Sequence, residues 1–290
     1  MITSSINTVP NIKVIVGATA SGKSAIALSL AEKTDGVIIN ADSQQVYNDL
    51  RILTARPSLE EEARAPHKLY GILNANEAGS AGWWLRYAKM EIDWARSLGK
   101  TPIVVGGTGL YIKALTKGIA EIPDIDASVR AQAISDYEEM GKESFSERLR
   151  AIDPTFFERL KVFDKQRLVR AYEVWLGSGK TLSWWQEREL QPPYSADEIE
   201  IQNIELPRDE LHKRCNERFV QMVDIGALEE VKQLMLQNLP DSLPIMKTIG
   251  VRELASYLRG ECTLPQAIEK CQIATRQYAK RQITWFRHQL

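Results

Sequence analysis

Ile12-Lys13-Val14-Ile15-Val16 and the eight residues after it, Gly17-Ala18-Thr19-Ala20-Ser21-Gly22-Lys23-Ser24, frame the whole chain. The apolar run reads as a buried strand. The octet fits G-x-x-x-x-G-K-[ST], a phosphate-cradling P-loop. Ser24 to Lys33 follows with good helix formers, and Asp35-Gly36 stops the helix. The glycines let successive N–H groups point inward, and the helix N-terminus adds its positive end. Lys23 supplies a point charge for a terminal phosphate, and the Ser24 hydroxyl is placed to bind Mg²⁺.

The chain has 290 residues and a formal charge of −1, so it can bury a large core, and its charge must be read locally. Met1 to Asn11 is polar and lacks the basic and apolar regions of a signal peptide. No apolar stretch approaches the roughly 18 residues of a membrane span. Cys215, Cys262 and Cys271 are scattered, which fits reduced thiols in a cytoplasm. His67, His212 and His288 lie far apart, and no cluster has zinc spacing.

Gly36 to Asn40 reads as a second buried strand ending on Ala41-Asp42-Ser43-Gln44-Gln45-Val46-Tyr47. Ligands of open α/β sheets bind beyond the carboxyl ends of the strands, so Asp42 emerges on the same rim as the P-loop. A carboxylate there can bind Mg²⁺, accept a proton or cap the next helix. Residues 49 to 82 read as connecting helix and loop, with Glu60, Glu61 and Glu62 on a solvated face. Trp83 to Leu98 reads as a helix whose aromatics Trp83, Trp84, Tyr87 and Trp94 are expected in the core. Thr101 to Val105 is a third buried strand running into Gly106-Gly107-Thr108-Gly109-Leu110-Tyr111, a second close-approach loop on that rim. Strands alternating with helices give an α/β fold with a parallel sheet.

From Gly118 the pattern changes, and residues 127 to 190 read as all helix, with breaks at Gly141, Asp153-Pro154 and Gly177-Ser178-Gly179-Lys180. Residues 119–195 thus form a helical insertion between core segments 1–118 and 196–290. Between 142 and 170 eight Lys/Arg, Lys161 among them, face five Asp/Glu, with Trp175, Trp184 and Trp185 nearby, a set that can hold a phosphate backbone. Ile199 to Leu206 looks like an alternating strand returning to the sheet, and Asp209 to Leu236 like a long helical stretch with Arg214 and Arg218 on one face. From Lys270 to Leu290 there are five Lys/Arg and no acid. Arg276, Lys280 and Arg287 fall within about 40° on a helical wheel, beside a stripe of Ala279, Ile283, Phe286 and Leu290. That basic rim suits an anionic polymer.

Three chemistries remain open on these residues alone: a kinase with Asp42 as base, transfer of an alkyl group from its diphosphate, and an RNA-binding NTPase switch. The motifs themselves carry a resemblance. Residues 17–24, Ile39-Asn-Ala-Asp-Ser-Gln-Gln-Val-Tyr47 and Gly106 to Tyr111 resemble signature stretches of the tRNA dimethylallyltransferases. So do Asp164-Lys-Gln-Arg-Leu-Val-Arg170 with Glu173 and Gly179-Lys180, Arg218 to Met222 with Gly226 to Val231, Ile249-Gly250 with Glu253, and Thr275 to Gln282.

The resemblance implies transfer of a dimethylallyl group from its diphosphate to the exocyclic amine of the adenosine just 3′ of the tRNA anticodon. It also implies that Gly17, Ala18, Thr19, Ala20, Ser21, Gly22, Lys23 and Ser24 hold the donor diphosphate with Mg²⁺. Asp42 is then the general base, Thr108 lies at the acceptor base, and Arg218 neutralises the leaving group. Contacts to the anticodon stem-loop fall to Asp42, Ser43, Gln44, Gln45, Thr108, Arg130, Gln166, Arg167, Leu168, Val169, Arg170 and to residues 275–282 with Arg276, Lys280 and Arg281. A cytoplasmic monomer with no membrane contact is expected. The chain departs from the family pattern at Ala18, usually Pro; at Lys68, usually His; at Lys161-Val162-Phe163, usually His-Pro-Asn; and at Val251, usually Tyr. It carries no C-terminal zinc-finger extension like that of eukaryotic relatives, so the bacterial type is expected.

Overall fold

A computed structural model describes residues 10–160, 164–188 and 190–290. Most of the polar N-terminal stretch, together with Lys161, Val162 and Phe163, lies outside the described residues. The chain divides into two units, one built from the chain up to Thr116 with Pro193–Leu290, the other from Lys117–Pro192.

The first unit holds a five-stranded sheet of β1 (Ile12–Gly17), β2 (Val37–Asn40), β3 (His67–Lys68), β4 (Pro102–Gly106) and β5 (Ile199–Ile204). The order is β3-β2-β4-β1-β5, and every neighbouring pair is parallel. The sequence gives no strand signal at β3. Its two residues pair with Ile38 and Ile39 inside what reads as a connection. β5 lies on the edge, so most of its side chains stay exposed despite their alternating pattern.

Apolar runs in β1, β2 and β4 suit burial on both faces. Ile15, Ile38, Ile103 and Val105 pack against Ala27, Leu28 and Ala31 of α1 (Lys23–Thr34). The alternate residues Val14, Val16 and Val104 are buried as well. Trp84, on α3 (Ala81–Ser97), is fully buried, donates Nε1–H to the Asn40 carbonyl at 2.7 Å and stacks on Tyr111 at 4.6 Å. Tyr87 and Trp94, expected in the core, are instead exposed, because they point from α3 away from Trp84, Ala88 and Ile92. Lys68 lies over the Trp94 ring and pairs with Glu91.

α2 (Leu59–Arg64) opens on a Ser58–Glu61 capping box. α4 (Gly109–Lys117) follows the glycine loop. A second core joins Val46, Tyr47, Leu50 and Leu53 to α9 (Arg208–Asp224), α10 (Ala227–Leu236), α11 (Val251–Leu258) and α12 (Leu264–Gln289). The stretch read as one helix from Asp209 to Leu236 breaks at Ile225-Gly226, where Gly226 takes φ 119°. Val251 is fully buried here, so its place in the family pattern is a packing position.

The second unit is all-helical: α5 (Ala127–Ile152), α6 (Pro154–Arg159), α7 (Lys165–Ser178) and α8 (Leu182–Gln186). Gly141, at φ 73°, breaks α5. Buried Asp153 accepts from Phe156 N at 3.1 Å and Ser183 N at 3.0 Å, tying two helix starts together. The unit boundary falls ahead of the sequence-read 195. Tyr194 bonds Asp93 at 2.8 Å and lies 5.1 Å from the Arg96 guanidinium, which places it with α3 in the first unit.

At the rim, a Cβ added to Gly106 would lie 2.1 Å from the Ala41 carbonyl oxygen. Gly106→Ala is therefore expected to cost about 2–3 kcal/mol, because rigid backbone must shift. Urea unfolding should show a lower midpoint at unchanged slope; a wild-type midpoint would mean that the two loops can part freely.

Candidate active site

Because β4 lies between β1 and β2, the loops after those three strands adjoin at the carboxyl edge of the sheet. They are bonded together. Ala41 N donates to the Val105 carbonyl at 2.8 Å and Thr108 N to the Ala41 carbonyl at 3.1 Å, while Ser43 N donates to Thr108 Oγ1 at 2.8 Å. Asn40 holds the turn between them: its Oδ1 accepts from Asp42 N at 2.8 Å and its Nδ2 donates to the Leu69 carbonyl at 3.0 Å.

The loops open on a pocket of about 300 Å³. Its polar side carries Asp42, Ser43, Gln44, Arg218, Lys247 and Arg281, with Thr19 and Ala20 of the P-loop. Its apolar side carries Leu53, Phe219, Met222 and Ile249. Leu53 is held by Glu230 of α10, whose carboxylate accepts from the backbone N–H groups of Arg51, Ile52 and Leu53 at 2.7–2.9 Å. Thr248 donates to Gln44 Oε1 and so fixes that amide at the pocket wall.

α1 begins at Lys23, with Gly22 as N-cap at φ 91°, a left-handed conformation suited to glycine. Lys23 Nζ lies 3.4 Å from the Ala18 carbonyl. Desolvation lowers this ammonium to about 8; Asp42 pulls it up, and Arg218 pushes it further down. Desolvation also lowers the Arg218 guanidinium, against the pull of Asp42. Asp42 Oδ1 accepts from Gln44 N at 2.9 Å, so the carboxylate caps its own turn and still lines the pocket. Burial raises the Tyr278 phenol, with Asp42 adding to the effect. The Ser24 hydroxyl is exposed in the first turn of α1. Mg²⁺ needs only one or two protein oxygens when phosphates and water fill the rest, so Ser24 beside the loop fits that ion.

The residues expected at tRNA separate into two kinds. In α7, Leu168 and Val169 are buried in the core of their unit and cannot meet a polymer, whereas Gln166 and Arg167 are exposed and Arg170 is half-exposed. Buried Glu173 accepts from Arg130 at 3.2 Å and from Arg170 at 2.7 Å, holding two outward guanidiniums. Gln45 is turned inward, donating to the Thr54 and Ala55 carbonyls at 2.9 Å. On α12, Lys280 and Arg287 are exposed, Arg281 lines the pocket, and Arg276 is partly engaged by Asn216. Ala279, Phe286 and Gln282 face inward, while Leu290, expected in the docked stripe, is half-exposed.

Arg214 and Arg218 share one face of α9 but differ in place, Arg214 lying beside the P-loop glycine Gly22. Arg214 is exposed and bonds Glu210 at 2.7 Å, and Arg218 lines the pocket. The sequence reading placed Tyr278 and Gln282 only within the 275–282 stretch expected at tRNA and gave neither a place at the pocket or between its loops. Their signal was a second stripe, Tyr278, Gln282 and Trp285 at i, i+4 and i+7, beside the apolar one.

The model of the IPP transferase family matches residues 45–289. The chain belongs to that family. A tRNA dimethylallyltransferase of Phenylobacterium zucineum is 50% identical over 97% of this chain and 91% of its own length, and one of Zymomonas mobilis is 49% identical over 95% and 87%. A solved tRNA isopentenylpyrophosphate transferase from Bacillus halodurans is 31% identical, with a TM-score of 0.67 over 96% of this chain and 87% of that one. A eukaryotic dimethylallyltransferase acting on tRNA has a TM-score of 0.82 at 28% identity, covering 96% of this chain and 70% of that one. The α/β fold with a P-loop core read from the sequence is thus that of an IPP transferase.

Lys23 gives the P-loop a testable pH response. Below about 8 its ammonium is charged in the free protein; above it, an anion must draw a proton back onto the amine to bind. Relative to Lys23→Arg, affinity for inorganic diphosphate should fall by up to about tenfold per pH unit above that point. Titration calorimetry from about pH 7 to 9.5 measures both. Parallel curves for the two proteins would take Lys23 out of the anion site.

Proposed function

We propose that this family member transfers the dimethylallyl group from dimethylallyl diphosphate to the exocyclic amine of the adenosine 3′-adjacent to the anticodon of tRNA, releasing diphosphate. One observation carries the reading: a single pocket brings together P-loop residues, Asp42, Arg218 and an apolar wall of a size suited to a short isoprenoid. The names of the relatives and the family point the same way.

The chemistry follows from the side chains. An aryl amine is a weak nucleophile because its lone pair is delocalised into the ring. Asp42, at the pocket rim, accepts the proton as the new C–N bond forms. The allylic C–O bond breaks, and its electron pair leaves with the diphosphate. Resonance stabilises the allylic carbon, so most help is needed at the leaving group. The amides of residues 17–24, the Lys23 ammonium and the Arg218 guanidinium supply it. Ser24 would hold Mg²⁺, which neutralises phosphate charge when bound. Leu53, Phe219, Met222 and Ile249 shelter the hydrocarbon from water. Thr108, bonded to Ser43, marks the side on which a flat base enters, and the adenine must be extruded from its stack to reach Asp42.

Arg130, Gln166, Arg167 and Arg170 in the helical unit, and Lys280, Arg281 and Arg287 on α12, supply charge for the anticodon stem-loop. A cytoplasmic monomer is the setting we assign. Among the described residues no helix is long and apolar enough to cross a membrane.

Radiolabelled dimethylallyl diphosphate with unmodified tRNA or AMP tests the reading. Label is expected in tRNA and not in AMP; label in AMP alone would reassign the acceptor. Asp42→Ala should lower transfer by at least about 100-fold with tRNA affinity nearly intact, and normal turnover would remove Asp42 as base. Lys280→Gln with Arg287→Gln should weaken tRNA binding and reduce its salt slope by about 2. An unchanged slope would show that this face of α12 does not touch the nucleic acid.

A further inference from the structure

Gln282 is a polar side chain in an apolar place. It lies on the core-facing side of α12 and is only 5% exposed. Both ends of its amide are used. Oε1 accepts from the backbone N–H of Thr19 in the P-loop at 2.8 Å, and Nε2 donates to the Gly107 carbonyl in the glycine loop at 2.9 Å. The fit is tight: a Cβ on Gly107 would lie 2.1 Å from Nε2. The phenol of Tyr278, one turn earlier on α12, is raised by burial, and the Thr108 hydroxyl and Gln282 amide partly oppose that. Thr108 in turn bonds Ser43, next to Asp42. One amide therefore spans the loop expected to hold the donor and the loop beside the expected base.

We propose that Gln282 is a positioning residue for the transfer. It touches neither reactant but sets the separation and angle between the donor loop at Thr19 and the acceptor side at Gly107 and Thr108. The inference rests on the proposed roles of those two loops. Its physical ground is that displacing a reacting pair by about 1 Å costs on the order of 100-fold in rate, while each partner still binds on its own contacts. A primary amide suits the task because it offers one acceptor and one donor at fixed separation. A carboxylate offers no donor, whereas a neutral carboxylic acid offers one of each.

Steady-state transfer by wild type, Gln282→Leu and Gln282→Glu tests this, with thermal unfolding run on all three. Gln282→Leu is expected to lower kcat about 30- to 100-fold, with KM for dimethylallyl diphosphate and for tRNA each within about threefold of wild type. Gln282→Glu is expected to be poor at about pH 8 and to recover relative to wild type as pH falls toward about 6, because protonation restores the donor to Gly107. A folded Gln282→Leu with wild-type kcat overturns the proposal. So does a Gln282→Glu to wild-type activity ratio that stays flat with pH. Should Gln282→Leu fail to fold, the pH ratio of Gln282→Glu decides alone. If wild type itself transfers nothing to tRNA, the proposed activity fails, an outcome distinct from a wild type that works and variants that match it.

Discussion

The Ala41 carbonyl rests against Gly106 with no room for a side-chain carbon between them. That contact brings the ends of two parallel strands so close that Asp42 and Thr108 share one hydrogen-bonded turn. β4 in turn lies beside β1, so the P-loop joins the same edge. α9 and α12 then supply Arg218, Tyr278 and Arg281 to the pocket, and the segments holding Leu53 and Lys247 to Ile249 complete its walls. Opening the Ala41–Gly106 contact would separate the carboxylate from the cations it faces. The rest of the site depends on that approach.

Charge in the pocket is arranged for an anion. Desolvation lowers both Lys23 and Arg218, Arg218 lowers Lys23 further, and Asp42 alone among their named neighbours opposes this with a carboxylate. Two enclosed cations with one carboxylate gain from a polyanion what water no longer gives them. In the helical unit the logic is reversed. Buried Glu173 partly neutralises Arg130 and Arg170 and fixes their direction, and their exposed nitrogens stay free for a partner outside.

Much of this was legible because the signals are local. A strand, a glycine loop and a helix start within 13 consecutive residues identify the P-loop, and apolar runs ending on Asp42 and Gly106 mark the same rim. Tertiary surroundings decided the rest. Arg214 and Arg218 lie on one helical face, yet one bonds Glu210 beside the P-loop glycine Gly22 and the other lines the pocket. Leu168 and Val169 sit in a basic motif but belong to the core, as their side chains alone suggest. β3 has two residues and no periodicity to read. Tyr87 and Trp94 are exposed because Trp84, Ala88 and Ile92 already cover the sheet. Gln282 stands in a run of cations and reads as surface, and only the two loops it reaches reveal its direction.

β5 has a consequence for how the molecule forms. It completes the sheet by pairing with β1 across 187 residues of chain, as the Lys13–Glu200 contact across that pair records. α5 to α8, by contrast, adjoin one another in sequence and share their own core. Loop-closure entropy delays the distant pairing, so during synthesis the helical unit can settle while the sheet still waits for its last strand. β1 meanwhile carries an open edge of unpaired backbone groups, and a newly made chain is most exposed to misassembly in that interval.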